Sequence, residues 1–330
     1  MVNKDFGVGI VLGNNLSGWN HLPEEPFIPG DDWETGWGNK KIIPETIRGL
    51  KAMGFKTIKI PVTWIEHFTK NVSGEWEMAE WFIRRVKEVA EMITAEGLFC
   101  VINVHHDTDF LVLDDEQIVR DKFFHLWRYL AKYFKGFSED FLCFESFNEI
   151  GETERPERDI PSLANLLNGL FYQAVRGVDT KRTLFYEGYY ADTMGTFNHS
   201  VFPADDNSMI AVHFYTPWEF TIQDPEEYKE TNHNLFSKEQ VAGYLAYIEK
   251  IRERFGMDVC ITEFSCHMAG RRPDKVLDWY TMVFKYCKKE DVPLFIWDNG
   301  KPKESVIDRE NHAFMLPGLD KLMAYYYGEE

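Results

Sequence analysis

Phe141-Leu-Cys-Phe-Glu-Ser-Phe-Asn-Glu149 starts as a short apolar run and stops on a carboxylate. Phe141 to Glu145 lacks the polar alternation of a strand with one wet face, so it reads as a strand buried on both sides, as in a parallel sheet. Val259-Cys-Ile-Thr-Glu263 repeats that arrangement far along the chain. Two carboxylates carried by strand ends into one cleft are able to divide acid and base work on a single bond.

Working outward, the same strand signature recurs at Gly7 to Leu12, Thr57 to Ile60, Phe99 to Val104, Thr183 to Glu187, Met209 to His213 and Leu294 to Trp297, which makes eight. Amphipathic segments lie between: Pro44 to Met53, Ala79 to Glu96, Glu116 to Phe134, Pro161 to Val175, Lys238 to Phe255 and Pro273 to Lys288, with a closing helix near Leu319 to Tyr327. Several open with proline, whose missing N–H does no harm in a first turn. Gly54, Gly97 and Gly256 follow helices where a left-handed cap is expected.

Strands alternating with helices predict a parallel α/β architecture, and eight units close into a (β/α)8 barrel. A doubly wound open sheet explains the same alternation. The fifth unit is the weakest, with only a hint of helix around Ala191 to Phe197. The barrel is preferred because chemistry-bearing residues recur where strands end, which is where barrel sites are built. No linker-like or low-complexity stretch divides the chain, so residues 1–330 read as a single barrel domain. No glycine-rich phosphate loop follows the first strand, which removes the main nucleotide-binding alternative.

A net charge of -18 argues against nucleic acid or an acidic membrane face as partner. Neutral polymers remain open, and an aromatic content of 15% supplies flat faces to meet them. Of the five cysteines, Cys100, Cys143 and Cys260 sit in strand runs and read as core residues rather than disulfides or metal ligands. No run approaches the roughly 18 apolar residues of a spanning helix.

The strand ends carry Asn14, Lys59, His105, His106, Asn148, Glu149, Glu187, His213, Tyr215, Glu263 and Trp297. Carboxylates, imidazoles, amides and aromatic rings together suit a polyhydroxylated ligand, whose hydroxyls need polar partners and whose C–H faces need rings. A lone strand-end Glu is most often a solvated carboxylate, but the paired Asn-Glu and Thr-Glu endings outweigh that reading. His105, His106 and Asp107 offer a metal-type alternative. Adjacent residues of an extended segment point to opposite sides, which disfavours it. A carboxylate dyad acting on a neutral sugar requires no metal and no cofactor. Ser265, Cys266 and His267 suggest a nucleophile with its base, yet sequence neighbours seldom face each other productively. Trp19, Trp33, Trp37, Trp64 and Trp218 fall in or beside loops after strands, as loop packing or substrate platforms; Trp127, Trp279 and Phe134 read as core.

In order along the chain, Leu12-Gly-Asn-Asn-Leu16, Trp37-Gly-Asn39, Gly54-Phe-Lys-Thr-Ile-Lys-Ile-Pro-Val-Thr-Trp64, Val101-Ile-Asn-Val-His-His106, Phe144-Glu-Ser-Phe-Asn-Glu149, Val212-His-Phe-Tyr215, Ile261-Thr-Glu-Phe264 and Trp297-Asp-Asn-Gly300 form a pattern. From about Phe6 to Tyr327 the chain resembles glycoside hydrolase family 5, in particular its endo-β-1,4-glucanases. The resemblance implies a retaining mechanism with Glu149 as general acid/base and Glu263 as nucleophile. It implies a substrate-binding set of His105, His106, Asn148, His213, Tyr215, Trp297, Asn14 and Lys59. Within that set Asn148 holds the sugar 2-hydroxyl, His213 and Tyr215 orient the carboxylates, and Trp297 stacks on the glycone side. The partner it implies is a β-glucan, met by a monomer that is secreted or displayed at the cell surface after loss of a leader; a cytoplasmic home is the alternative.

Several positions depart from the family. Lys59-Ile-Pro61 stands where Arg-Ile-Pro is usual, and a lysine lacks the planar fork of the arginine that braces the nucleophile. Thr262 and Ser265 replace common glycines, Ile150 a frequent proline and Ser17 an acidic residue. A β-mannanase, a xyloglucan-active relative and a catalytically weakened glycan-binding barrel are the competing expectations.

Overall fold

Alternate residues of a strand face opposite ways, and in this chain that period separates two cores. One face of each strand carries Ile10, Ile58, Ile102, Phe144, Tyr186, Val212, Ile261 or Ile296, and these pack with the apolar stripes of the surrounding helices. The other face carries Val11, Val101, Cys143, Phe185, Ala211, Cys260 or Phe295, which meet one another and Phe6 in a separate cluster. Strand residues that meet one another on one face, with no helix residue among them, are what a sheet closed on itself produces.

The computed structural model, which describes residues 2, 4–18, 33–64, 66–107, 111, 115–151, 159–302 and 304–329, bears this out. Eight strands, β1 (Val8–Leu12), β2 (Thr57–Ile60), β3 (Phe99–Asn103), β4 (Leu142–Glu145), β5 (Leu184–Glu187), β6 (Ser208–Phe214), β7 (Asp258–Phe264) and β8 (Leu294–Asp298), close into a barrel. Each pairs in parallel with its neighbours, β8 returning to β1. The helices are α1 (Pro44–Ala52), α2 (Glu80–Ala95), α3 (Glu116–Tyr133), α4 (Ile160–Arg176), α5 (Thr193–His199), α6 (Trp218–Thr221), α7 (Lys238–Leu245), α8 (Tyr247–Phe255), α9 (Pro273–Lys289) and α10 (Leu319–Tyr327). The open-sheet alternative is thereby excluded.

The weak fifth unit is a real one. Asp192 caps α5 by accepting from the backbone N–H groups of Met194 and Gly195, a strong start signal for a helix of only seven residues. The predicted helix from Lys238 to Phe255 is broken into α7 and α8 at Ala246. Val241, Leu245, Ile248 and Ile251 still share one buried face across the break, which is why the pattern reads as continuous. An antiparallel hairpin, Phe68–Lys70 with Trp76–Met78, was not anticipated; the Asn71 side chain closes its turn by accepting from Ser73 and Glu75.

Inside the barrel, the lumen-facing residues change character along each strand. Below lie Val101, Cys143, Phe185, Ala211 and Phe295; two residues further, on the same faces, stand Asn103, Glu145, Glu187, His213 and Trp297. Burying a ring such as Phe295 contributes roughly 1.5–3 kcal/mol. Gly9 is needed here because a Cβ would sit 2.4 Å from the Phe295 ring. All five cysteines are buried and free, and Trp127, Trp279 and Phe134 are core residues. Among the described residues no helix is long and apolar enough to cross a membrane.

Candidate active site

Strand ends deliver the functional side chains to one rim. Glu149 follows β4 after Ser146, Phe147 and Asn148, and its backbone is left-handed, with φ 47. Such a conformation costs a non-glycine residue energy and persists only where surroundings impose it. Here the Glu149 N–H donates to Oε1 of Glu187, while Trp127 Nε1 of α3 donates to the Ser146 carbonyl at 3.1 Å. Both contacts fix the chain just before and at the carboxylate.

Glu263 reaches the same place by a register slip. Val212 pairs with Ile261, yet the next residue of β6, His213, pairs with Glu263, so Thr262 is skipped. The bulge brings the carboxylate level with the imidazole. The result is compact: Glu149, His213 and Glu263 each place one polar atom within 4.8 Å of the others. His213 Nδ1 lies 2.7 Å from Glu149 Oε1, and the Tyr215 hydroxyl donates to Glu263 Oε2 at 3.2 Å. The Glu149 side chain is 43% exposed and that of Glu263 only 4%. One carboxylate therefore faces the cleft and the other rises from its floor.

The cleft, of about 810 Å³, brings together Asn14, His105, His106, Asn148, Glu149, His213, Tyr215, Glu263 and Trp297. Trp297 stacks on His105 with centroids 5.6 Å apart, and a Cβ at Gly13 would stand 2.6 Å from its indole, so glycine makes room for the ring. His105 accepts at Nδ1 from Asn103 Nδ2, 3.2 Å away. Burial, with His106, Lys59 and His213 adding to it, holds this imidazole well below its ordinary pKa, as the neutral form.

Lys59 is the exception to the predicted set. It is fully buried beneath the floor, so it meets carboxylates and not substrate: Nζ lies 2.5 Å from Glu145 Oε2 and 2.9 Å from Glu263 Oε1. Burial alone would lower this ammonium; Glu145, Glu263 and Glu187 outweigh that and leave it above its usual range. The lysine is thus a fixed cation between a buried counter-carboxylate and the nucleophile candidate.

The tryptophans separate by depth. Trp64 is core, its indole donating to the Asn103 carbonyl at 3.0 Å, and Trp33 packs edge-on against His67. Trp37 and Trp218 line the cleft; Trp19 lies outside the described residues. Asp107 accepts from the Trp64 backbone at 3.0 Å and staples a loop. Among the described residues, no group of three potential metal donors includes His105, His106 or Asp107. Glu145, Glu187 and His213 do form such a group, but the Lys59 ammonium already supplies its countercharge. The buried Ser265 hydroxyl turns to that of Tyr280 and the buried Cys266 thiol to the Phe220 carbonyl, away from any nucleophile role.

Tyr190, Asp192, His267 and Asn299 also line the cleft, and nothing in the sequence marks any of them as a substrate contact. Glu145 is different. It lies two residues beyond Cys143 on the lumen face, and a buried charge there demanded a partner such as Lys59.

Electrostatics in the cleft run against the chemistry expected of the dyad. Burial would raise Glu149, but the His213 hydrogen bond and charge, with Lys59 and His106, bring it below the usual carboxylate range. Burial lifts Glu263, and Glu149 and Glu145 add to that against His213 and Lys59. His213, which burial would lower, is pushed up to about 9 by Glu263, Glu187 and Glu149. Glu187 is held well above the carboxylate range, first by burial.

A family model described as cellulase (glycosyl hydrolase family 5) matches residues 21–303. Endoglucanase A of Ruminococcus albus is 27% identical over 316 residues, covering 90% of this chain and 85% of the relative. Endoglucanase A of Paenibacillus barcinonensis is 31% identical over 249 residues, covering 68% and 60%. Endoglucanase A of Clostridium longisporum is 28% identical, and this chain spans 58% of its length. Among solved structures, a GH5-4 broad specificity endoglucanase from Clostridium longisporum superimposes with TM-score 0.85 at 23% identity, over 99% of this chain and 97% of that one. A glycoside hydrolase 5 lichenase from a Caldicellulosiruptor species, solved with cellotetraose, gives 0.86 at 24% identity, over 98% and 93%. These two likenesses concern the fold.

Proposed function

The chain belongs to glycosyl hydrolase family 5, and on that premise we propose that it is a retaining endo-β-1,4-glucanase. Its substrate is an internal bond of a cellulose-like or mixed-linkage β-glucan, and the whole chain serves as one catalytic barrel, acting as a monomer. The observation that carries this reading is that Glu149 and Glu263 each bring one carboxylate oxygen within 4.8 Å of the other's, too close to admit a water between the two groups. Inverting enzymes keep their carboxyl groups about 6.5–9.5 Å apart to admit a water, whereas retaining ones need only about 5–5.5 Å.

In this assignment Glu263 attacks the anomeric carbon while Glu149 protonates the leaving oxygen. A glycosyl ester forms on Glu263, and Glu149 then takes a proton from the water that opens it. Lys59 and the Tyr215 hydroxyl aim the nucleophile. His213 orients Glu149, Asn148 receives the sugar 2-hydroxyl, and Trp297 with His105 carries the glycone ring. Because Lys59 meets Glu263 directly, the brace expected of an arginine is supplied in another form. That removes the motive for reading the barrel as a binding protein.

A secreted or surface location follows from the substrate, since a polymer of this size is met outside the cell. Product anomers released from barley β-glucan, carboxymethyl cellulose, glucomannan and xyloglucan test the proposal. Retained β-anomers, with fastest release from the β-glucans, are expected. Inverted products would overturn the mechanism, and faster release from glucomannan or xyloglucan would move the substrate assignment.

A further inference from the structure

Behind the acid/base, one imidazole away, lies a carboxyl group that the mechanism above does not use. Glu187 ends β5, is fully buried, and touches both neighbours of the reacting group. Its Oε1 accepts the Glu149 backbone N–H, and its Oε2 lies 3.3 Å from His213 Nε2. The other imidazole nitrogen, Nδ1, lies 2.7 Å from Glu149 Oε1. Glu187, His213 and Glu149 therefore stand side by side from the barrel interior to the cleft, with His213 Nε2 also 3.7 Å from Glu263 Oε1 and, like Glu187 Oε2, making no hydrogen bond to another described residue.

Resting on the assignment of Glu149 as acid/base, we propose that Glu187 is a positioning residue that stores, through His213, the proton Glu149 delivers to the leaving oxygen. At rest the three groups share two protons. One is on Nδ1, and the other is held between Glu187 Oε2 and His213 Nε2. As the glycosidic bond breaks, the Nδ1 proton passes to Glu149 Oε1 and on to the leaving oxygen, while the second stays on Nε2. Glu187 and Glu149 are then both anionic and His213 is neutral.

Charge balances across the step. The line of three gains one negative charge as Glu263 loses its own in the glycosyl ester, so the site holds the same total before and after. During deglycosylation Glu149 takes a proton from water and passes it to Nδ1, the Nε2 proton returns toward Glu187, and the water oxygen bonds the anomeric carbon as Glu263 leaves as carboxylate.

The surroundings of Glu187 favour this role. It faces His213 from β6, Glu145 from β4, Lys59 from β2 and Glu149 from the loop after β4. Burial first, then Glu145 and Glu149, raise its pKa against the pull of His213 and Lys59, whereas Glu149 is shifted the other way. Its backbone is fixed by Ser146 Oγ at 3.1 Å and by Asn168 Nδ2 at 2.8 Å, which keeps the line straight through the cycle.

Glu187→Gln separates storage from mere scaffolding, because glutamine keeps the oxygen that accepts the Glu149 N–H and lacks the titrating proton. On barley β-glucan, the basic limb of the kcat/KM profile should move toward acid by about one pH unit, about tenfold less activity beyond it. A dinitrophenyl β-cellobioside, whose leaving group needs little protonation, should lose far less. Glu187→Asp, which retains a titrating group, should keep the wild-type limb at reduced kcat. An unshifted limb in Glu187→Gln, or equal loss on both substrates, overturns the proposal. Should the variants not fold, infrared spectra of the wild-type protein suffice: a carboxyl band and the His213 imidazolium titrating together across the basic limb support the store, and titration at separate pH values refutes it. Glu149→Ala on the same two substrates keeps the premise separate, since equal losses there sink the acid/base assignment whatever Glu187 does.

Discussion

The lumen of the barrel has two storeys built from the same strands. Cys143, Phe185, Ala211 and Phe295 fill the lower one with apolar volume, and Glu145, Glu187, His213 and Trp297, each two residues on, fill the upper with charge and a ring. The lower storey stabilises by removing surface from water. The upper one withdraws four carboxylates, Glu145, Glu149, Glu187 and Glu263, toward two cationic partners, Lys59 and His213. Burial of that kind is poor value for stability. It concentrates an unbalanced field where a glycosidic bond is to be broken, which is what catalysis by oriented charge requires.

The largest expected difference between the storeys is in rate. Glu263→Ala should lower kcat by about four to six orders of magnitude on every substrate, because no group remains to form the ester. Glu149→Ala should cripple hydrolysis of β-glucan, spare activated aryl glycosides, and recover on those with azide. Phe295→Ala in the lower storey should leave the kcat of the folded enzyme within a small factor. A large kcat loss there would abolish the distinction.

Stability should separate them next. Phe295→Ala opens a cavity and is expected to cost about 3–5 kcal/mol in chemical denaturation. Lys59→Met removes the cation between Glu145 and Glu263 and should cost about 3–5 kcal/mol as well, by leaving two buried carboxylates facing each other. Only the second loss should shrink as pH falls, since protonating Glu263, which burial already raises, relieves it. Equal pH dependence in both variants would show that Lys59 acts by filling space.

A smaller effect belongs to His213. Its folded pKa of about 9 lies above the ordinary 6.5, so its contribution to stability is fully present below about pH 6.5 and is lost as pH rises through about 9. The gap in Tm between wild type and His213→Gln should narrow over that window. A gap that widened instead would mean the imidazole is buried neutral.

Much of this was legible in sequence, for a physical reason. Runs such as Val101-Ile-Asn-Val and Phe141-Leu-Cys-Phe are apolar on both faces because both faces are covered, so strand boundaries came out within a residue or two. Strand-end chemistry followed from the same registers, as His213 opposite Glu263 shows. Depth was not legible. Lys59 and His106 both stand at strand ends, yet one is sealed under the floor and the other opens to the cleft. Trp64 and Trp37 look alike as loop aromatics, and only tertiary packing against Asn103 and Asp107 makes the first a core residue. Glu145 was passed over because a glutamate inside an apolar strand has meaning only once its partner across the lumen is known.

The finest test of the upper storey is Lys59→Arg, where sequence and structure lead to different expectations. A weakened barrel awaiting its arginine predicts a sharp rise in rate. The geometry predicts otherwise, because the ammonium already lies 2.9 Å from Glu263 and 2.5 Å from Glu145. A guanidinium offers two parallel hydrogen bonds in place of point contacts, but it must enter a fully buried site shaped for a lysine, and overpacking of that kind costs about 1–3 kcal/mol. We therefore expect a lower Tm with kcat/KM on β-glucan within about tenfold of wild type, since a tenfold change corresponds to only about 1.4 kcal/mol at the transition state. A much larger gain would mean that lysine leaves the nucleophile poorly aimed.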